Sequence, residues 1–208
     1  MKEVLIINAG GFGKSVLSTA LKDPAYQKDW VIKGFLDTRI YDDQNLPYPI
    51  LGSPFSYNHD TSQIILCALG SPVDRMKYSK YLWERGADFM NLMPNLHLAQ
   101  SVKMGHGCIF EHDVSLGYNA QLGNFVLILA MSIIGYEVQI GSYTTIESFV
   151  AIGGGAKIGE FVTIHPHCTI LPGVKIGDNA IIGAGSVVLS DVPAGMTYHG
   201  NPAKPLRF

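Results

Sequence analysis

The sequence has little net charge and no long apolar run. Its 208 residues hold 15 lysines and arginines against 17 aspartates and glutamates, so the formal charge is only −2. The absence of a basic surface argues against nucleic acid or anionic lipid as a partner. No stretch approaches the roughly 18 apolar residues of a membrane-spanning helix, and the run at 4–7 is too short for a signal peptide. We therefore expect a cytoplasmic protein, without membrane insertion, whose ligands are small molecules.

Cysteine is scarce and its count, three, is odd, which argues against a disulfide framework. Cys108 and Cys168 fall on the small-residue positions of a six-residue repeat, and Cys67 ends an apolar segment. All three are predicted to pack in the core.

A six-residue repeat fills the chain from Leu98 to Val188. A large, mostly aliphatic residue returns at every sixth position for sixteen hexads, and a small residue follows each one four places later. Neither an α-helix nor a strand has this period, whereas a coil of three short flat faces does, so the repeat predicts a parallel β-helix. Glycine follows the large residue in nine hexads, and we expect it to supply the positive φ of a tight corner.

The first 92 residues alternate apolar strand patterns with helical ones, which predicts a small parallel sheet. Strands are predicted at 4–7, 31–36 and 64–69, and helices at 14–21 and 76–85. Ligands of such sheets bind beyond the carboxyl ends of the strands.

Those strand ends carry a glycine loop at 10–13, Asp37 and Gly70. Glycines let backbone N–H groups approach a phosphate at the start of a helix, and a carboxylate can accept from a ribose or a base. A nucleotide pocket is therefore predicted, although a tight turn without a ligand explains the isolated glycine loop equally well.

These motifs together resemble the bacterial hexapeptide-repeat acyltransferases that acetylate nucleotide-activated amino sugars or sialic acids. The resemblance covers almost the whole chain and rests on the hexads and on these segments: 7–14, 34–37, 68–71 with Arg75, and 183–204. It implies a Rossmann-like α/β domain at 1–92 that binds the nucleotide sugar, and a left-handed β-helix at 93–208 that carries the acyltransferase site and a C-terminal tail. It also implies a homotrimer with acetyl-CoA in the grooves between neighbouring β-helices, and we expect no metal.

The residues that match the family's catalytic positions depart from its pattern. The family's general base is a histidine followed by an acidic residue, and that place holds Tyr136 and Glu137. Thr145 stands in place of a second histidine, and Phe12 in place of a frequent histidine of the glycine loop. Loss of a base typically lowers a rate by about 10²–10⁴. In one interpretation the Tyr136 hydroxyl donates a hydrogen bond to the developing oxyanion while a neutral amine attacks without a base. In the other, Tyr136 only packs against the neighbouring coil at the exposed surface of the β-helix.

The repeat also gives a map of neighbours, because one coil takes 18 residues and coils stack about 4.8 Å apart. Tyr118, Tyr136 and Gly154 share one column, which predicts an open slot at 153–155 for the pantetheine arm of CoA. Glu147 and His165 share another, either as a substitute base with its orienting carboxylate or as a surface salt bridge.

Two further histidine motifs are weaker alternatives. His112 and Asp113 resemble the family's catalytic pair in sequence, but the repeat places them on a different face of the three-sided β-helix from Tyr136. His165 and His167 together suggest a zinc hydratase, although their spacing fits that class poorly.

The predicted function is acetyl transfer from acetyl-CoA to the amino group of a UDP- or dTDP-linked amino sugar in cell-surface glycan synthesis. Its alternatives are a non-catalytic nucleotide-sugar-binding homologue and a sugar O-acetyltransferase. The predicted catalytic residues are Tyr136, Glu137, His165 and Glu147. The predicted substrate-binding residues are Gly10, Gly11, Phe12, Gly13, Asp37, Gly70 and Arg75. The predicted CoA-binding residues are Gly153, Gly154, Gly155, Thr145, Gly183, Ala184 and Lys204.

Overall fold

The chain forms two compact units, Met1–Pro94 and Asn95–Phe208. The structure, a computed structural model, describes residues 1–39, 46–58 and 60–206. An α/β unit is followed by a left-handed parallel β-helix, as predicted.

The first unit is a five-stranded parallel sheet in the order β3-β2-β1-β4-β5. Its elements are β1 (Lys2–Ile7), α1 (Gly11–Ala20), β2 (Trp30–Leu36), β3 (Ile50–Gly52), β4 (Gln63–Cys67), α2 (Pro72–Trp83) and β5 (Asp88–Phe89). The three predicted strands and both predicted helices are present, with shifted ends. Strands β3 and β5 were not predicted, because two or three residues are too few to show a periodicity.

Local sequence sets where α2 begins. The Ser71 hydroxyl accepts the backbone N–H of Asp74 at 3.3 Å, and Pro72 occupies the first helical position. A hydroxyl cap and a proline at the first turn both satisfy the helix start, whose N–H groups lack intrahelical partners. The helix consequently starts directly after the loop at the end of β4.

The second unit contains one two-residue strand for every hexad, each ending on the large residue of the repeat. Three parallel sheets form its faces, and each residue pairs with the one 18 positions later. Sheet A contains β7 (Lys103–Met104), β10 (Gln121–Leu122), β13 (Gln139–Ile140), β16 (Lys157–Ile158) and β19 (Lys175–Ile176). Sheet B contains β8 (Ile109–Phe110), β11 (Leu127–Ile128), β14 (Thr145–Ile146), β17 (Thr163–Ile164) and β20 (Ile181–Ile182). Sheet C contains β6 (His97–Leu98), β9 (Ser115–Leu116), β12 (Ile133–Ile134), β15 (Ala151–Ile152), β18 (Thr169–Ile170) and β21 (Val187–Val188).

The C-terminal tail extends sheet B. Strand β22 (Thr197–His199) pairs with β20, and β23 (Lys204–Pro205) pairs antiparallel with β22. The tail thereby covers the last coil of that sheet.

The small-residue column of the repeat lies inside the prism and includes polar side chains for a physical reason. The Thr144 hydroxyl donates to the Gly159 carbonyl at 2.7 Å and accepts the Val162 N–H at 3.1 Å. The Ser132 hydroxyl bridges Glu147 and Val150 in the same manner. A small hydroxyl residue at an interior corner therefore binds its own coil to the next one.

The glycines after the large residues do not have the predicted role. Positive φ occurs instead three places after the large residue, mostly at other residue types, as at Asn119 (58°) and Tyr143 (62°). A methyl group at Gly141 would lie 2.5 Å from the carbonyl carbon of Gly159 in the next coil. Glycine is required there because the backbones of stacked coils approach closely, not because the corner needs an unusual φ.

Candidate functional site

A cleft opens at the carboxyl ends of β1, β2 and β4, and the strand order of the first sheet reverses between β1 and β4. Its volume is about 290 Å³, and it lies next to the start of α2. The lining residues are Ile7, Asn8, Leu36, Asp37, Thr38, Arg39, Leu69, Asp74 and Tyr78. Among the predicted substrate-binding residues only Asp37 lines this cleft; the glycine loop follows directly after Asn8.

Asp37 is buried and its carboxylate already accepts several hydrogen bonds. It receives the backbone N–H of Ala9 at 2.9 Å and that of Arg39 at 2.9 Å, and the Arg39 guanidinium lies 3.3 Å away. Arg39 also donates to the Asn8 side-chain oxygen at 2.9 Å. Asp37 therefore fixes the Arg39 guanidinium, which is mostly exposed, at the cleft.

Sequence reasoning missed Asn8 and Arg39. Arg39 could have been found from its position, because a side chain two residues beyond a strand-ending aspartate is held by the turn that this aspartate caps. Asn8 has φ +85° and donates to the Ala68 carbonyl at 2.9 Å, so it joins the ends of β1 and β4. No comparable signal marks that contact in the sequence.

The glycine loop leads into α1 as predicted. The N–H of Gly10 donates to Asn8, whereas the N–H groups of Gly11, Phe12 and Gly13 belong to the first helical turn, which has no intrahelical acceptors. Gly11 is exposed, and a Cβ added there would meet nothing within 4 Å, so the start of this helix is open to solvent on that side. Gly13 has another role, because a methyl group there would collide with the Asn8 carbonyl.

The two remaining predicted substrate-binding residues lie near the end of β4, Gly70 in the loop and Arg75 in the first turn of α2. Gly70 is exposed, with open space at its Cα. Arg75 is only 1% exposed, and its guanidinium donates to the carbonyls of Leu69 (2.6 Å) and Gly70 (3.0 Å). Arg75 thus supports the loop from below through its two hydrogen bonds to the loop carbonyls.

The edge of the β-helix between sheets C and A carries the tyrosine column. Backbone bonds of 2.8 Å link Glu137 to Tyr118 and Gly155 to Tyr136, which confirms the predicted stacking of these coils. Tyr136 is 61% exposed, so its hydroxyl can reach a ligand.

The predicted open slot on this edge is largely absent. A methyl group at Gly154 would lie 2.5 Å from the Tyr136 ring, and one at Gly153 would meet Pro172. The ring of Tyr136 has turned onto the space that the missing side chain leaves. Only Gly155, with φ +68°, still faces open space.

The edge between sheets B and C carries the other predicted catalytic pair. The Glu147 carboxylate lies 3.3 Å from Nδ1 of His165, and both side chains are partly exposed. A carboxylate at Nδ1 favours the tautomer whose Nε2 is free to accept a proton. His167 stacks on Phe149 with ring centroids 4.9 Å apart. Within one chain this pair and Tyr136 lie on different edges of the prism.

The residues predicted to bind CoA also lie on different parts of the β-helix. Gly183 and Ala184 lie on the B–C edge, where the His199 ring of the tail covers Gly183, and Lys204 is exposed on β23. Thr145 is only 4% exposed on the outer side of sheet B. It shares this burial with the outward positions Ile109 and Leu127 on the same sheet.

The described residues contain no cluster of three or more histidine, cysteine, aspartate or glutamate side chains that could hold a metal ion. Over the same part of the chain, no helix has the length and apolar character needed to cross a membrane.

Two known family models match parts of this chain. The PglD N-terminal domain model matches residues 3–82, and the bacterial transferase hexapeptide model matches residues 155–190. The first match lies within the α/β unit and the second within the β-helix. The resemblance inferred from the motifs is thereby confirmed.

Solved structures of similar fold cover nearly the whole chain of this hexapeptide-repeat protein. The acetyltransferase domain of PglB from Neisseria gonorrhoeae, in complex with acetyl coenzyme A, is 26% identical with a TM-score of 0.89 over 99% of both chains. PerB from Caulobacter crescentus, in complex with CoA and GDP-perosamine, is 24% identical with a TM-score of 0.89 over 100% of this chain and 98% of its own. WeeI from Acinetobacter baumannii is 24% identical with a TM-score of 0.59 over 99% and 100%. No curated protein matches the chain.

Proposed function

We propose that the protein is an acetyl-CoA-dependent acetyltransferase that acts on the amino group of a nucleotide-linked amino sugar in glycan synthesis. The observation that carries the proposal is the likeness, over 99% of both chains, to a PglB acetyltransferase domain that binds acetyl coenzyme A. The complex of PerB with CoA and GDP-perosamine supports a nucleotide amino sugar as the acceptor. The proposal extends to UDP-, dTDP- or GDP-linked sugars and to a reaction in the cytoplasm.

In the proposed reaction the neutral amine attacks the thioester carbonyl of acetyl-CoA. A carbon–nitrogen bond forms and the carbon–sulfur bond breaks. The proton lost by the amine passes through the general base to the CoA sulfur, so that CoA departs as the thiol. The exposed Tyr136 hydroxyl would donate to the oxyanion that develops on the carbonyl, while Glu137 lines the same edge.

The proton of the attacking amine needs an acceptor, and we assign this role to His165. Its contact of 3.3 Å with Glu147 supports the assignment, because the carboxylate stabilises the imidazolium that proton transfer creates. His112 lacks such support, since no contact between a carboxylate and His112 occurs in the described part of the chain.

We further propose a homotrimer, as the family resemblance implies. An exposed apolar cluster supports self-association: Met131, Ile133 and Phe149 on neighbouring coils are 47%, 58% and 49% exposed. In such an assembly, edges of two neighbouring β-helices can form one groove. Tyr136 of one copy can then act with His165 of the next, which a single chain does not allow.

The test is CoA release from acetyl-CoA with a panel of UDP-, dTDP- and GDP-linked amino sugars. Wild-type protein should turn over at least one sugar. His165→Gln should lower kcat by about 10²-fold or more, and Tyr136→Phe should lower kcat with little change in KM. His167→Gln serves as the matched histidine control and should retain activity. Absence of thiol release with every sugar would contradict the proposal.

A binding protein without catalysis is the second candidate. The family resemblance supports it, because it implies that Tyr136 stands in the place of the family's general base. A protein of this kind would bind the nucleotide sugar at the Asp37 cleft but would neither bind acetyl-CoA nor release thiol.

A further inference from the structure

The cleft at the carboxyl ends of β1, β2 and β4 presents a different charge on each side. Strand β1 lies between β2 and β4, so the turn after β2 and the start of α2 form opposite walls. The turn after β2 presents the Arg39 guanidinium, and the first turn of α2 presents the Asp74 carboxylate. The cleft therefore matches a ligand that is anionic at the Arg39 side and offers hydrogen-bond donors at the Asp74 side.

The Asp74 carboxylate is not used by the fold as the structure describes it. The backbone N–H of Asp74 donates to the Ser71 hydroxyl at 3.3 Å and so belongs to the helix start. Within residues 1–39, 46–58 and 60–206, the side chain accepts no hydrogen bond and makes no ion pair. Because an ionised carboxylate only accepts hydrogen bonds, Asp74 is available to N–H or O–H groups of a ligand.

The part of the cleft next to Asp74 is aromatic and apolar. Tyr78 follows Asp74 by four residues and lies on the same side of α2, and its ring packs against Phe55 with ring centroids 4.7 Å apart. The ends of β1 and β4 add Ile7 and Leu69 to the lining. The Phe55 contact holds the Tyr78 ring in place before a ligand arrives, and such a surface suits the flat ring of a base.

The bases of nucleotides offer different groups to a carboxylate. Guanine carries two adjacent donors, N1–H and the 2-amino group, which match the two oxygens of one carboxylate. Uracil and thymine carry a single N–H between two carbonyl oxygens, and a carboxylate repels the lone pairs of those oxygens. A carboxylate in contact with the base therefore favours guanine and disfavours both pyrimidines.

We propose that the cleft selects a guanine nucleotide, with Asp74 on the N1–H and 2-amino groups, Tyr78 against the ring and Arg39 on the diphosphate. The amino group of the sugar is a poorer partner for Asp74, because a carboxylate contact would keep that amine protonated and unreactive. The inference rests on the proposed function and narrows its acceptor to a GDP-linked amino sugar. The UDP- and dTDP-linked sugars that the resemblance implies would then be poor substrates.

Isothermal titration calorimetry with GDP, inosine diphosphate (IDP) and UDP tests the assignment on the full chain, with no sugar amine present. GDP should bind about 10- to 100-fold more tightly than UDP, as the loss of charge-assisted hydrogen bonds predicts. IDP lacks the 2-amino group and should bind about tenfold more weakly than GDP. Asp74→Asn should reduce the preference for GDP over UDP about tenfold. Glu84→Gln is the matched control, because it removes an exposed carboxylate at the other end of α2, and it should leave this preference unchanged.

A carboxylate also stabilises the start of a helix, so the melting temperature of each variant is measured alongside. A purely structural role of Asp74 would not let wild-type protein distinguish GDP from IDP. Equal wild-type affinity for GDP and IDP would overturn the base assignment. Equal losses of GDP and UDP binding in Asp74→Asn would also overturn it, and would place Asp74 on the ribose hydroxyls that both nucleotides share.

The acetyltransferase proposal is decided separately, by thiol release with the amino-sugar panel. Faster turnover of a UDP- or dTDP-linked amino sugar than of a GDP-linked one would overturn the guanine assignment and leave acetyl transfer intact. Tight and selective GDP binding without thiol release from any sugar would support the guanine assignment and contradict the acetyltransferase.

Discussion

The side chains around the Asp37 cleft show how far residue identity alone predicts a site. Position at a strand end was sufficient to find Asp37, because the ends of parallel strands meet at one edge of the sheet. The sequence did not reveal that the Asp37 carboxylate would already accept a hydrogen bond from Ala9 and form an ion pair with Arg39. The cationic group presented at the cleft is therefore Arg39, which suits the diphosphate of a nucleotide sugar.

Tyr136 marks the limit of the 18-residue map. The repeat predicted correctly which residues stack, including Glu147 beside His165. It failed for the slot at Gly154, because a backbone period does not determine side-chain rotamers, and the Tyr136 ring turned onto that glycine.

Cys67 gives a prediction about protonation. Burial raises the pKa of the Cys67 thiol from 9.0 to about 12, so the folded protein keeps it neutral where an unfolded chain would ionise it. The stabilisation is fully present below about pH 9 and is lost as the pH rises towards 12. Urea unfolding should show a steeper loss of stability above pH 9 in wild-type protein than in Cys67→Ala.

A thiol titration provides the control for this prediction. All three cysteines are at most 1% exposed, so none should react with a disulfide reagent at pH 8 until urea is added. Rapid reaction of a thiol in the native protein would contradict the assigned burial.

Among the secondary-structure elements, the short β-helix strands were predictable in number and place. Each hexad forms one strand, because every face of a coil is built around one large interior residue. The strands outside the repeat, β3, β5, β22 and β23, were not predicted, because each has only two or three residues and pairs with sequence-distant partners.

Coil stacking predicts unequal costs for two glycine substitutions. Gly141→Ala would place a methyl group 2.5 Å from the next coil and should destabilise the protein by about 1–3 kcal/mol. Gly155→Asn is the control, because it has open space and a φ of +68° that Asn119 and Asn179 also adopt at equivalent positions. Its cost should stay below about 0.5 kcal/mol. Chemical denaturation measures both, and equal costs would contradict close coil approach as the reason for Gly141.

At the scale of the whole molecule, the exposed apolar cluster around Ile133 predicts a defined assembly. Wild-type protein should sediment as a trimer, and Ile133→Asp should sediment as a monomer because burying its charge would cost several kcal/mol. Ile181→Asp introduces the same charge at a 40% exposed isoleucine on sheet B and should remain trimeric. A monomeric wild type would contradict the assembly.

The separation of Tyr136 and His165 on different edges predicts complementation between copies. Tyr136→Phe and His165→Gln should each be impaired alone, yet co-refolding them in equal amounts should restore about a quarter of the sites, those with both wild-type side chains in one groove. Steady-state turnover of the mixture measures this recovery. If the mixture turned over no faster than the separate variants, the two residues would either act within one chain or take no part in the reaction.

Two compact units with the fold of the PglB acetyltransferase domain raise one decisive question, which is whether this chain transfers an acetyl group to an amino sugar. Mass spectrometry of a nucleotide amino sugar incubated with acetyl-CoA and wild-type protein answers it most directly. The account predicts one added acetyl group, located on the amino nitrogen, and no addition to the matched sugar that lacks the amine. An unchanged sugar across the whole panel, or an acetyl group on oxygen, would contradict the proposed reaction.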